Sequence, residues 1–292
     1  MSSAATSTRS RSEPFFFESP GSARLFGVWR APSSQPRAIW IICPPFAEEE
    51  KSAHRTLVEL CEALRARGDA SLSFGYRGTA DSSGDFVQAT LALWRDDIRA
   101  ACREAQRRAP GVPLALIGLR LGASLAMQMA TEVGASRLVL IEPVLHGRSY
   151  VGAMSQRKKL RAMMTQNDLA QKAASQNTAA DAASNANGFA ASAQRVLATG
   201  DEADMDDLDG WPLSTTLRGE LQALDLMSHV ATSGVRTLVV QVGPREQIAP
   251  PLQRFAQNVG ATTRAVVMKP FWNLVDYTRA DALFEAVLNF EF

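Results

Sequence analysis

Between Arg37 and Ile141 short apolar runs alternate with amphipathic helical stretches four times over, and few folds accept that pattern. The run Arg37 to Cys43 (RAIWIIC) is halted by Pro44-Pro45. Ala70 to Phe74, Val112 to Ile117 and Arg137 to Ile141 repeat the form. Strands that are apolar throughout are buried on both faces, as in a parallel sheet. The intervening stretches carry helical spacing. Leu57, Leu60, Cys61 and Leu64 recur at three and four residues before Gly68. A second helix is expected from Phe86 to Arg108, ended by Pro110-Gly111, and a third from Ala123 to Val133. Such alternation predicts a mostly parallel central sheet with helices on both faces. Two strand-like stretches, Phe15 to Ser19 and Ala23 to Ala31, precede it. Strands at Arg236 to Val242 and Thr262 to Met268, with helices at Pro250 to Val259 and Ala280 to Asn289, complete it.

The domain reading follows from where this alternation stops. Residues 1–13 are small, polar and mildly basic and read as a disordered tail, without the apolar stretch of a secretory signal. Residues 14–145 and 230–292 form one core; residues 146–229 read as a helical lid insertion without strand patterning. Within it, alanine, asparagine, glutamine and serine dominate Thr165 to Ser192, and the acidic run from Asp201 to Asp209 reads as a solvated face. A hydrophobic fraction of 46% allows a sizeable core, and a formal charge of +1 gives nucleic acid no purchase. Cys43, Cys61 and Cys102 have neither disulfide nor zinc spacing and read as small core hydrophobes. No run reaches the ~18 apolar residues of a membrane span. No cofactor or metal is expected, and the setting reads as cytoplasmic.

The informative turn is Ile117-Gly118-Leu119-Arg120-Leu121-Gly122-Ala123. Strand, glycine, any, centre, any, glycine, helix is the nucleophile-elbow pattern of the α/β-hydrolase fold. Its centre is Arg120. A guanidinium stays protonated and offers no lone pair, so it is neither nucleophile nor general base. A cation also has the wrong sign for a helix N-terminus, so an anion is required nearby. Glu48, Glu49, Glu50, Asp85, Glu142 and Glu246 are the internal candidates. A ligand carboxylate or phosphate is the other. An internal salt bridge is the favoured reading.

The remaining triad positions are also depleted. Glu246 stands near the place of the acid, whereas Lys269-Pro270-Phe271-Trp272-Asn273 follows the last strand with no histidine after it. Of the three histidines, His54 reads as solvent-facing and His229 as lying away from the cleft. His146 lies just beyond a central strand's carboxyl end, where open α/β sheets bind ligands. A displaced nucleophile is the competing possibility: Ser82, Ser83, Ser124 or Cys43, with His146 as base and Glu246 as acid.

The motifs PPFAEEEKS, GYRGTADSSGD, GLRLGAS and KPFWN resemble the second type of exosortase-system-associated hydrolases. The likeness covers most of Arg37 to Val144 and the chain from Arg236, with weaker support at Gly210-Trp211-Pro212-Leu213. It implies the α/β-hydrolase fold, a bacterial cytoplasmic setting beside exopolysaccharide and protein-sorting genes, and an inherited hydrolase label without a substrate. In that family arginine also stands at the elbow, so Arg120 resembles a family feature. Leu121 and Phe46 or Ala47 match the oxyanion-hole donors, and Trp272 or Asn273 the place of the histidine. The Ala/Asn/Gln-rich insertion and Glu50 depart from the family pattern. The resulting expectation is a cleft of Phe46, Ala47, Glu48, Glu49, Asp85, Arg120, Leu121, His146 and Trp272 that binds a small-molecule, anionic or acyl ligand. The insertion is left to dock a protein partner.

Overall fold

A computed structural model describes residues 12–159, 163, 205–208, 210–229, 234–274 and 277–290. Its sheet is built from β1 (Glu13–Ser19), β2 (Ala23–Arg30), β3 (Ile39–Cys43), β4 (Ala70–Phe74), β5 (Leu114–Leu119), β6 (Arg137–Ile141), β9 (Arg236–Gly243) and β10 (Thr262–Val267), with β7 (Met205–Leu208) and β8 (Trp211–Ser214) forming a separate hairpin. The order across the eight-stranded sheet is β1-β2-β4-β3-β5-β6-β9-β10. β1 and β2 are antiparallel to their neighbours, and the remaining pairs are parallel. Helical crossovers account for the jump from β3 to β4 and back to β5.

Period-two alternation on a doubly buried strand sorts the core into two layers. On β3, Ile39 and Ile41 face one layer while Trp40 and Ile42 face the other. The first layer takes α2 (Leu91–Arg108), α3 (Leu121–Met129), α5 (Thr215–Ala223) and α6 (Pro250–Asn258). The second takes α1 (Glu48–Ala66) and α7 (Asp281–Leu288). Every residue of β3, β5 and β6 is buried, which is why those runs read as apolar throughout. Register aligns Cys43 with Gly118 and Leu119 with Ile141, bringing the carboxyl ends of three central strands to one rim.

Two expectations need correction. The stretch Phe86 to Arg108 is not one helix: a 3-10 turn at Phe86–Gln88 precedes α2. Asp85 accepts from the Val87 amide, and Thr90 caps α2 by accepting from the Leu93 amide at 3.1 Å. Two N-caps five positions apart compete with a continuous helix. The stretch read as lacking strands contains the antiparallel β7–β8 hairpin, turned by Gly210 at φ 91°. Such short strands carry too little alternation to read. The alanine-rich stretch and acidic run lie mostly outside the described residues.

The insertion's described ends are stitched together. A helix, α4, spans residues 147–159, and its entry pairs with the exit of α5. Gly147 donates to the Leu224 carbonyl and Leu226 donates to the Leu145 carbonyl, both at 2.8 Å. α4 is thereby held over the rim.

Candidate functional site

At the rim, β5 breaks sharply into α3 at Arg120, whose φ of 55° and ψ of −118° lie in a region L side chains rarely adopt. Such a conformation costs on the order of 1–3 kcal/mol. The glycines make the corner possible. A β-carbon on Gly118 would sit 2.3 Å from the Ala123 Cα, and one on Gly122 would sit 2.2 Å from the Pro44 carbonyl oxygen. The Arg120 amide donates to the Ile141 carbonyl at 2.9 Å and its own carbonyl accepts from Ala123 at 3.1 Å, so both neighbours brace the corner.

The guanidinium is met by protein groups. Its Nε lies 3.4 Å from Glu49 Oε1, and Nη1 donates to the Glu142 carbonyl at 3.2 Å. The rings of Tyr150 and Trp272 each stand 5.4 Å from its central carbon, in cation–π range. The Arg120 side chain keeps 19% of its surface exposed and Glu49 only 4%. Burial this deep makes the pairing obligatory, because an orphaned buried charge is far more costly than an exposed one.

Glu49 in turn is the hub of a larger set. It belongs to the first turn of α1, which starts from Ala47 at φ 54° and ψ −127°, nearly the Arg120 conformation. The Tyr150 hydroxyl donates to Glu49 Oε2 at 2.8 Å. Arg157 Nη2 lies 3.4 Å from Oε1, and its other terminal nitrogen donates to the Asn273 amide oxygen. Burial and the adjacent Glu49 carboxylate push the Tyr150 hydroxyl well above the ordinary tyrosine range, so it stays a donor. Two guanidiniums thus share one carboxylate, with Arg157 half-exposed. Glu142, at φ 45°, contributes its carbonyl to Arg120 while its carboxylate accepts from Val242 N at 2.9 Å. Burial raises that carboxyl.

Of the anions proposed for Arg120, Glu49 fills the role and Glu142 helps through its backbone. Glu48 instead pairs with Lys51 at 2.7 Å and accepts from the Trp211 indole at 3.1 Å. Asp85 caps its own 3-10 turn. Trp272 is buried against Arg120; Phe46 and Ala47 are buried at the start of α1, and Leu121 at the start of α3. Among the described residues no hydrogen bond joins the residues weighed as a displaced triad. Ser124 is fully buried and donates to the Val144 carbonyl at 2.9 Å. His146 is exposed and lies 3.5 Å from Asp225, while Glu246 sits on an exposed loop. Ser82 donates to the Gly75 carbonyl at 2.8 Å, Ser83 accepts from the Arg24 amide at 2.7 Å, and burial pushes the Cys43 thiol well up. Each has a structural task.

Tyr150 and Arg157 were not singled out from sequence. Their signal was present but faint: a spacing of seven residues puts both on one helix face. Among the described residues no group of three metal-ligating side chains converges, and no helix is long and apolar enough to cross a membrane.

The family model for serine aminopeptidases, S33, matches residues 34–200, more than half of the chain and inclusive of the corner. No curated protein matches significantly. Among solved structures, Est1E from Butyrivibrio proteoclasticus with ferulic acid bound is 18% identical at a TM-score of 0.60, covering 94% of this chain and 97% of that one. An esterase of Pyrococcus furiosus is 12% identical at 0.56, covering 88% and 82%. An α/β serine hydrolase without lid from Xanthomonas campestris is 16% identical at 0.51, covering 90% and 87%. These likenesses carry the fold alone. With the strand order, the sharp β5–α3 corner and the matched residues in agreement, the chain belongs to the S33 serine aminopeptidase family of α/β hydrolases.

Proposed function

We propose that this chain is a pseudo-hydrolase, a family member whose cleft binds a small anionic or acyl ligand and does not cleave it. The observation that carries the reading is the Arg120 guanidinium at the nucleophile corner, held by Glu49 and the Glu142 carbonyl. A nucleophile must present a lone pair there, and a histidine must relay its proton. Neither group stands at its family position. The surplus positive charge of Arg120 and Arg157 over Glu49 favours an anion at the cleft mouth, where Arg157 is open to solvent. The sequence likeness to exosortase-associated proteins supports a bacterial cytoplasmic role in exopolysaccharide or protein export, with residues 146–229 as a lid that docks a partner.

Two measurements test this. Purified protein treated with a fluorophosphonate probe is expected to stay unlabelled, and Arg120→Ser is expected to stay unlabelled too, since no base is supplied. Stoichiometric labelling of the wild type overturns the reading, as does ester turnover that vanishes in His146→Ala. For binding, Trp272 stands against Arg120, so tryptophan fluorescence reports the cleft. Titration with benzoate and with inorganic phosphate is expected to give a saturable change that Arg157→Ala weakens at least tenfold.

A further inference from the structure

The first turn of α1 carries three consecutive glutamates with three different fates. Glu48 meets Lys51 and Trp211, and Glu49 meets Arg120, Tyr150 and Arg157. Among the described residues no donor meets the Glu50 carboxylate. One residue further along a helix is a rotation of about 100°. Glu50 therefore turns away from the Arg120 cluster and lines a separate cavity of ≈ 140 Å³ between α1 and the β2–β4 pair of strands.

The walls of that cavity are apolar, with Val28, Leu57, Val58 and Phe74 prominent. Its polar groups are Glu50 and His54 from α1, Ser73 from β4 and Asp81 from the following loop. No lysine or arginine lines it. Arg30, which approaches from β2, donates to Ser73 and pairs with Glu62. Burial, with smaller contributions from Cys43 and Glu50, raises the Tyr76 hydroxyl well above the ordinary range. The balance is two carboxylates around an apolar hollow with no lining cation. An engineered apolar cavity of about 150 Å³ in another protein holds one benzene molecule.

We infer that this cavity is a binding site for a small organic cation: a primary ammonium or amidinium on an apolar body the size of one aromatic ring. The ring fills the space between Leu57, Val58 and Phe74, and the cationic head meets Glu50 with Asp81 at the mouth. A charge-assisted hydrogen bond in a partly dry site is stronger than its counterpart in water. In the empty cavity burial raises the Glu50 carboxyl to about 7, so a bound cation expels a proton that the carboxyl otherwise shares. The site is separate from the Arg120 cluster and independent of whether that corner hydrolyses anything.

Isothermal titration calorimetry of the full chain at pH 7 tests it, with benzylamine as cation and benzyl alcohol as its neutral analogue. Benzylamine is expected to bind at least tenfold tighter than benzyl alcohol, with proton release seen as a heat that changes between buffers of different ionisation enthalpy. Glu50→Gln, folded by circular dichroism, is expected to lose that preference while keeping the alcohol. Val58→Trp is expected to fill the space and abolish both. Equal affinities, benzylamine binding unchanged in Glu50→Gln, or no heat from either probe with folded wild type would each overturn the assignment.

Discussion

Two corners of this molecule share one backbone shape and carry opposite side chains. After β3 the chain turns into α1 through Ala47 at φ 54° and ψ −127°; after β5 it turns into α3 through Arg120 at φ 55° and ψ −118°. Both place a β-carbon where glycine is the easy choice. Ala47 brings the smallest chiral side chain, and Arg120 brings a long cation. The first corner is tolerable because a methyl adds little to a buried turn. The second is tolerable because the first supplies its counterion: Glu49 stands two residues into α1. The two corners are therefore one electrostatic unit. Three acidic residues at a helix N-terminus complement its dipole, and one of them neutralises the cation that burdens the neighbouring helix.

Breaking the contact between the corners is expected to give the largest effect. Gly122 is where α3 touches the Cys43–Pro44 backbone, and a β-carbon there would lie 2.2 and 2.3 Å from two carbonyl oxygens. Gly122→Ala is expected to cost more than about 4 kcal/mol in urea unfolding, or to prevent accumulation of folded protein. Backbone oxygens cannot step aside as a side-chain tip can. A loss under about 1 kcal/mol would mean that the two turns are not in the contact described. Next comes Glu49→Gln, which keeps an acceptor for Tyr150 but strands two guanidiniums. A loss of about 3 kcal/mol is expected, since removing one partner of a buried pair leaves the other uncompensated. Arg157→Ala, tested beside it, should cost far less because its side chain is 37% exposed.

This coupling also shows what could be read from residues alone. The buried strands, their mostly parallel sheet and the β5–α3 corner were legible because apolar runs, helix spacing and paired glycines each leave a local mark. The need for an anion at Arg120 was legible from charge sign, and Glu49 was among the residues named for it. Which of three adjacent glutamates would answer was not legible. That choice depends on the rotation of α1 against β5, a tertiary quantity with no local signature. Tyr150 and Arg157 were hidden for a related reason: they come from a segment whose docking over the rim is set by backbone pairing near His146 and Asp225. The β7–β8 hairpin was too short to announce itself.

The third glutamate sharpens the comparison through pH. Burial lifts the Glu50 carboxyl from 4.5 to about 7 in the folded chain. The folded state then holds a proton that the unfolded state has released. Its stabilising contribution is complete below pH 4.5 and is lost as pH rises toward 7. Wild-type unfolding free energy is expected to fall by about 2 kcal/mol more than that of Glu50→Gln across this window, less than the full shift because the carboxyl is partly open to solvent. Parallel pH profiles for the two proteins would remove the burial argument.

The smallest effects make the finest test, because one substitution at the two corners should have opposite signs. Ala47→Gly relieves a strained φ, worth on the order of 1–3 kcal/mol, and gives up one buried methyl, worth about 0.8 kcal/mol. Glycine's added freedom in the unfolded chain takes back another ~0.5–1 kcal/mol. The net is a gain of under about 1 kcal/mol. Arg120→Gly relieves the same strain but removes the ion pair with Glu49, the donor to Glu142 and both ring contacts, at roughly 0.5–2 kcal/mol for each ring. It also leaves Arg157 as the one guanidinium on Glu49 among the described residues. A net loss of about 1 kcal/mol is expected, because the contacts together outweigh the strain. Urea midpoints measured side by side decide it. If both glycines stabilise the fold, Arg120 is a burden that the Glu49 cluster only mitigates; if they differ in sign, the guanidinium has become part of what holds the rim together.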